Sequence, residues 1–359
     1  MKNMLIAQSG GPTATIKASL SGAVKRAMKH PEIGEIYGAR NGLEGLLEER
    51  FVDFRALLRE EADFERLKRT PAMLLGSCRL RLSPEPDETY EKILGIFRQY
   101  RIGYFFYIGG NDSMDTVWKL SRFLQARGEQ ISVVGIPKTI DNDLACTDHT
   151  PGFGSAARYV ATSVAEIACD SQIYTAPSVT IVEIMGRNAG WLTAAAVLAR
   201  REGCSAPHVL CLPEVPFREA AILDRLEALR KKHRHLVVAA SEGLRREDGS
   251  YLAAETATDP FGHRALSGVG GVLRDLVARQ MGCKVRAVEL NVLQRAASHL
   301  QSETDVAEAC RIGAEAVTLG VEGRTGTMAT LERVSTHPYL IRYGWAEIER
   351  VANIEKKAP

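Results

Sequence analysis

Short apolar runs alternate along the chain with segments whose apolar positions recur at helical spacing. Residues 4–8, 33–40, 104–108, 131–136, 179–184, 209–212, 236–240 and 285–290 read as strands. Helical spacing marks a helix ending near Lys29, then helices over 88–100, 113–127, 156–169, 189–200, 219–232 and 268–280. Such alternation implies an α/β protein with mostly parallel sheets and helices on both faces. The chain has 359 residues, which favours two domains. A polar loop over 142–154 and a polar stretch over 296–302 suit crossings between them. The expected division is 1–152 with roughly 296–345 as one domain, and 153–295 with the C-terminal tail as the other.

Composition narrows the function classes. Hydrophobic residues make up 45% and charged residues 25%, with a net charge of +2. That balance gives no electrostatic reason to expect nucleic acid or an anionic membrane as partner. The basic run over 230–235 falls at the end of a helix, where cations face the negative end of the dipole. Seven cysteines are scattered without a Cys-x-x-Cys, so reduced thiols are expected rather than zinc or disulfides. Residues 1–8 carry one basic residue and too short an apolar run for a signal peptide, and no stretch has the length to span a bilayer. A cytoplasmic location is expected.

Candidate chemistry gathers where apolar runs end. Ser9-Gly10-Gly11-Pro12-Thr13 lies between a strand and a helix, where glycines let backbone N–H groups approach an anion. A tight strand-to-helix turn would use the same residues. Gly109-Gly110-Asn111-Asp112-Ser113 repeats the arrangement, with Ser113 expected to cap the next helix. Pro137-Lys138-Thr139-Ile140-Asp141-Asn142-Asp143 sets a cation beside two carboxylates directly after a buried strand. A carboxylate beside a cation keeps its charge near neutrality, which suits accepting a proton from an alcohol. In open α/β sheets the strand ends are where ligands bind. Met185-Gly186-Arg187, Ser241-Glu242-Gly243, Arg286 and Gln294-Arg295 add three arginines and a glutamate expected at the rims of other strands. Guanidinium grips phosphate bidentately and carboxylate orients hydroxyls, although each arginine alone would also serve as a surface ion pair. No Walker loop and no Gly-x-Gly-x-x-Gly follows the first strand.

Taken in order, these runs, with Leu75-Gly76-Ser77-Cys78-Arg79 and the segment 351–359, resemble the phosphofructokinase family from end to end. The resemblance implies two Rossmann-like three-layer domains with the active site in the cleft between them. It implies phosphoryl transfer to the 1-hydroxyl of fructose 6-phosphate with magnesium. Asp141 matches the general base, and Thr139, Ile140 and Asp143 match its sugar-binding or supporting neighbours. Met185, Gly186, Arg187, Glu242, Gln294 and Arg295 match sugar-phosphate contacts. Arg286 matches an arginine that reaches an adjacent subunit, so a homodimer or homotetramer is implied. Gly11, Arg79, Gly110 and Ser113 match the donor side, and Asn111 stands at the metal position.

Within the family, ATP-dependent bacterial members read Gly-Gly-Asp-Gly-Ser and Pro-Gly-Thr. Here Asp112 and Lys138 replace the two variable glycines, which resembles the pyrophosphate-dependent branch. A carboxylate at 112 fills and charges the space an α-phosphate would need, and Lys138 can neutralise the transferred phosphoryl or leaving phosphate. The expected activity is pyrophosphate:fructose 6-phosphate 1-phosphotransferase. An ATP-dependent 6-phosphofructokinase, a sedoheptulose 7-phosphate phosphotransferase and a regulatory sugar-phosphate-binding subunit are the alternatives. Asn111 in place of aspartate, Lys17 in place of asparagine, Val292 in place of an aromatic or histidine, and Ser178 are departures from the pattern.

Overall fold

The computed structural model describes residues 1–201, 203–253 and 268–359. The chain separates into two compact units: Met1–Ile140 with Leu144–Gly154 and Gln301–Glu355, and Asp141–Asp143 with Ser155–Leu300 and Lys356–Pro359.

The first unit is built on seven strands: β1 (Lys2–Gln8), β2 (Ile33–Ala39), β3 (Phe51–Asp53), β4 (Ile102–Gly109), β5 (Ser132–Pro137), β10 (Thr327–Ser335) and β11 (Leu340–Glu347). Their order is β11-β10-β5-β4-β1-β2-β3. The inner strands run parallel, and β3 and β11 close the two edges antiparallel. Central strands are buried almost throughout, as expected for a parallel sheet covered on both faces. One face packs on Phe97, Phe105, Tyr107 and Leu120. The other packs on Ile16, Leu20, Phe106, Ile312 and Val317.

Helices Ile16–Ala27 and Glu303–Val321 lie against each other with almost no side-chain layer between them. A Cβ on Gly22 would sit 1.8 Å from the Cys310 carbonyl oxygen, and one on Gly313 would sit 2.1 Å from that of Ser19. Only glycine permits that approach. Nearby, the buried His149 ring is held between Asp148 and Glu308, each at 2.7 Å. Burial alone would lower its pKa, but the hydrogen bonds to Glu308 and Asp148 outweigh burial and raise it.

The second unit carries β6 (Ser178–Ile184), β7 (Val209–Cys211), β8 (His235–Ser241) and β9 (Lys284–Glu289), all parallel in the order β7-β8-β6-β9. Val179, Ile181, Leu236 and Val238 pack with Leu273, Leu276 and Val277 of the helix Val269–Met281.

The sequence pattern locates the buried parallel strands but not every element. The segment over 189–200 is not one α-helix: Trp191–Ala195 is α-helical and Ala196–Ala199 tightens to 3-10 geometry. Strand β9 is not the last, since β10 and β11 follow it. Ser113 does not cap: Gly110 holds the N-cap position of helix Asn111–Ala126, and Ser113 lies within its first turn. Among the described residues, no helix is long and apolar enough to cross a membrane.

Candidate functional site

In the first unit, β5, β4 and β1 are adjacent and in register, so Gly109 faces Pro137 and Ile108 faces Gln8. Their carboxyl ends therefore bring together 9–13, 109–113 and 137–140, runs distant in sequence. Lys138 is buried at 3% exposure, and its Nζ donates to the Gly11 carbonyl at 2.8 Å. A Cβ on Gly10, which has φ +76°, would lie 3.1 Å from that Nζ, so the ammonium rests directly on the glycine turn. Ser113 Oγ is 2.5 Å from Ser9 Oγ, joining the two glycine runs.

Neither helix that starts here is closed by a side chain. Helix Ile16–Ala27 has Thr15 and helix Asn111–Ala126 has Gly110 at the N-cap, both without a side-chain cap hydrogen bond. Open N–H groups at a helix start attract anions, and the dipole adds to the effect. The Thr13 and Thr15 hydroxyls are buried with no hydrogen-bond partner among the described residues.

The exposed Asp112 carboxylate accepts a hydrogen bond from Arg81 Nη2 at 2.6 Å. Arg81 escaped the sequence reading because nothing in the loop's pattern tied it to a strand end; only its place two residues after Arg79 hinted at it. Arg79 is exposed in the same segment, which Ser77 anchors by donating to the Gly10 carbonyl at 2.8 Å. Lys17 is half-buried, donates to Thr70 Oγ1 at 3.1 Å, and has its pKa lowered by burial. Thr139 is held through its backbone: its N–H donates to the Pro151 carbonyl at 3.3 Å, and its carbonyl accepts from Thr150 Oγ1 at 2.8 Å.

In the second unit the corresponding strand ends are those of β6, β8 and β9, with Ile184 facing Ser241 and Glu183 facing Glu289. Met185 N–H donates to Gln294 Oε1 at 3.1 Å, and Gly186 N–H points to Glu242 Oε1 at 3.4 Å. Ser241 Oγ donates to the Gly186 carbonyl. Gly243 is obligatory, since a Cβ there would fall 1.9 Å from the Arg187 carbonyl oxygen. Arg295 Nε is buried with no hydrogen-bond partner among the described residues. Met185, Glu242 and Gln294 thus meet around a small cavity of about 70 Å³.

Arg286 does not join them. It pairs with Thr180 in mid-strand, away from the carboxyl ends. Its guanidinium meets Asp170 at 2.9 Å and lies 5.0 Å from the Tyr174 ring centre. The expected grouping of all three arginines at strand rims is therefore corrected to Arg187 and Arg295. Ser178, at the opposite end of β6, bonds the His235 ring, and Val292 is half exposed.

Burial, and next the charge of Asp141, push the Glu242 carboxyl up to about 7. A carboxyl raised in the fold binds protons that the unfolded chain has released, so it subtracts stability as pH climbs from 4.5 towards 7. Glu242→Gln should stabilise the protein by about 1–3 kcal/mol near pH 8 and by little near pH 4.5. Urea unfolding at both pH values checks this; an equal difference at each would refute it.

Oxygen donors for a metal are sparse. No cluster of three or more His, Cys, Asp or Glu placed for a metal occurs among the described residues. The helix start offers the exposed Asp112 carboxylate and the Asn111 amide, whose oxygen is buried. That set fits a hard cation bound chiefly through phosphate oxygens and water, with one or two protein oxygens.

The phosphofructokinase family model matches residues 3–319. The chain is 41% identical over 364 positions to the pyrophosphate--fructose 6-phosphate 1-phosphotransferase of Halomonas elongata, covering 99% of this chain and 86% of that protein. It is 42% identical over 362 positions to the enzyme of the same name from Xanthomonas campestris pv. campestris, with the same coverage. The crystal structure of a pyrophosphate-dependent phosphofructokinase from Nitrosospira multiformis matches with a TM-score of 0.90 at 38% identity, over 100% of this chain and 86% of that one.

Proposed function

Since the chain belongs to the phosphofructokinase family, we propose that it transfers a phosphoryl group reversibly from pyrophosphate to the 1-hydroxyl of fructose 6-phosphate. The observation that carries the donor assignment is the pair of side chains at adjacent strand ends. Lys138 is buried on the glycine turn, and Asp112 is fixed by Arg81 at an open helix start. Pyrophosphate binds where the N–H groups of Gly110 and the first helical turn point outward, beside Arg79 and Arg81. The Asp112 carboxylate repels a further phosphate, and the family relatives named for pyrophosphate support the same donor.

Asp141 removes the proton from the 1-hydroxyl as its oxygen bonds to phosphorus. The bond from that phosphorus to the bridging oxygen breaks, and phosphate leaves with its charge offset by Lys138. Thr139, Ile140 and Asp143 hold the acceptor hydroxyl in place. Met185, Gly186, Arg187, Glu242, Gln294 and Arg295 bind the sugar phosphate, the arginines taking the 6-phosphate and Glu242 the ring hydroxyls. Gly11 and Ser113 shape the donor pocket. The family generally uses a divalent metal; magnesium, when bound, would neutralise phosphoryl oxygens, and Asp112 with Asn111 would hold it. We assign the first unit to the donor and the second to the sugar phosphate. A homodimer or homotetramer in which Arg286 serves a neighbouring subunit, and a cytoplasmic location, complete the reading.

Parallel assays with pyrophosphate and ATP, each with fructose 6-phosphate and magnesium, test the assignment. Fructose 1,6-bisphosphate should form with pyrophosphate at least a hundredfold faster. Turnover with ATP alone would overturn the donor, and turnover with neither would overturn the enzyme reading.

A further inference from the structure

Residues far along the chain return to the Asp141 run. Lys356 N–H donates to the Asp143 carbonyl at 2.7 Å, and its Nζ reaches Asn142 Oδ1 at 3.3 Å. Asn142, 2% exposed, has φ +55° in the left-handed region, which asparagine adopts more readily than most residues with a side chain. A residue so placed fixes the directions in which Asp141 and Asp143 leave it, and the Lys356 ammonium contacts its side chain. The Lys356 carbonyl accepts from Trp191 Nε1 at 2.9 Å, and its Nζ lies 5.4 Å from the Trp191 ring centre. Two residues on, Ala358 N–H donates to Glu214 Oε1 at 2.9 Å; the same oxygen accepts from Gly190 N–H at 2.7 Å. Gly190 closes the loop that begins at Met185, and a Cβ on it would strike Glu214 Oε2 at 2.7 Å. All these residues belong to the second unit.

We propose that residues 356–358 form a strap tying the Asp141-Asn142-Asp143 run to the loop 185–190, with Lys356 as a positioning residue for the proton-accepting carboxylate. The inference rests on the reading of Asp141 as base. Lys356 acts on Asp141 through Asn142. Its ammonium sets the Asn142 amide, and the amide's backbone sets Asp141.

Lys356→Met keeps the backbone bond and the aliphatic stem but removes the ammonium. It should lower kcat about tenfold while KM for both substrates stays within about threefold, because misplacing a catalytic group by a fraction of an ångström costs rate rather than affinity. Lys356→Arg should recover most of the loss. In an Asn142→Gly background, where the amide is gone, Lys356→Met should change kcat less than about twofold. If Lys356→Met does not fold, Trp191→Phe supplies the reading, removing one N–H from the strap with a smaller loss of kcat. Wild-type kcat in Lys356→Met, or an undiminished tenfold loss in the Asn142→Gly background, overturns the strap. Activity in Asp141→Asn instead overturns the base assignment, so the two failures are distinguishable.

Discussion

Asp141→Asn is expected to lower turnover of fructose 6-phosphate with pyrophosphate by about three to four orders of magnitude, with KM for the sugar changed only a few-fold. Asparagine preserves shape and hydrogen bonding but cannot take a proton, so the loss isolates that step. Structure adds a second readout. The Asp141 charge is one cause of the raised Glu242 pKa, after burial. Removing that charge should shift the Glu242 inflection, followed by sugar-phosphate binding across pH, downward from about 7. Retained turnover would place Asp141 outside the role of base, and an unmoved inflection would show that its charge does not reach Glu242.

Replacing both Asp112 and Lys138 with glycine is expected to reduce kcat/KM for pyrophosphate at least a thousandfold and to move the pyrophosphate-to-ATP ratio at least a hundredfold towards ATP. Two separable effects add. Loss of Lys138 empties the position now resting on Gly11 and leaves the departing phosphate uncompensated. Loss of Asp112 removes a negative side chain from the start of helix Asn111–Ala126 and releases Arg81 for a longer donor. Lys138→Met alone should abolish most pyrophosphate turnover without admitting ATP. Asp112→Gly alone should relax selectivity at a smaller cost in rate. A ratio unchanged in the double variant would show that these side chains do not select the donor.

The strand ends that carry this chemistry are legible because an apolar run stopped by glycine and polar residues marks a buried parallel strand reaching its rim. Gly109 and Pro137 illustrate it. Pattern fails where burial is one-sided or contrast is low. In β10 the run from Thr327 to Leu331 is buried but Glu332 and Arg333 are exposed, and β11 is an edge strand with few buried positions. Helix Glu303–Val321 buries small residues such as Ala309, Gly313 and Gly320, whose apolar stripe is faint. Contacts between segments far apart in sequence are invisible to periodicity. Arg81 on Asp112 and Lys356 on Asn142 exist only once the chain has folded back on itself. The reverse error arose at Arg286, whose position next to a strand was legible but whose height along it was not.

The glycine contact between helices Ile16–Ala27 and Glu303–Val321 bears on how the protein is made. Gly22 leaves the ribosome roughly 290 residues before Gly313, an interval of about 15 to 60 s at ordinary rates of synthesis. Throughout it, the apolar face formed by Ile16, Leu20 and Val24 lacks the partner it is shaped to meet. The segment Ser155–Leu300 emerges within that interval and holds all four strands of its own sheet. Completion of the first unit therefore waits until the helix Glu303–Val321 has been made.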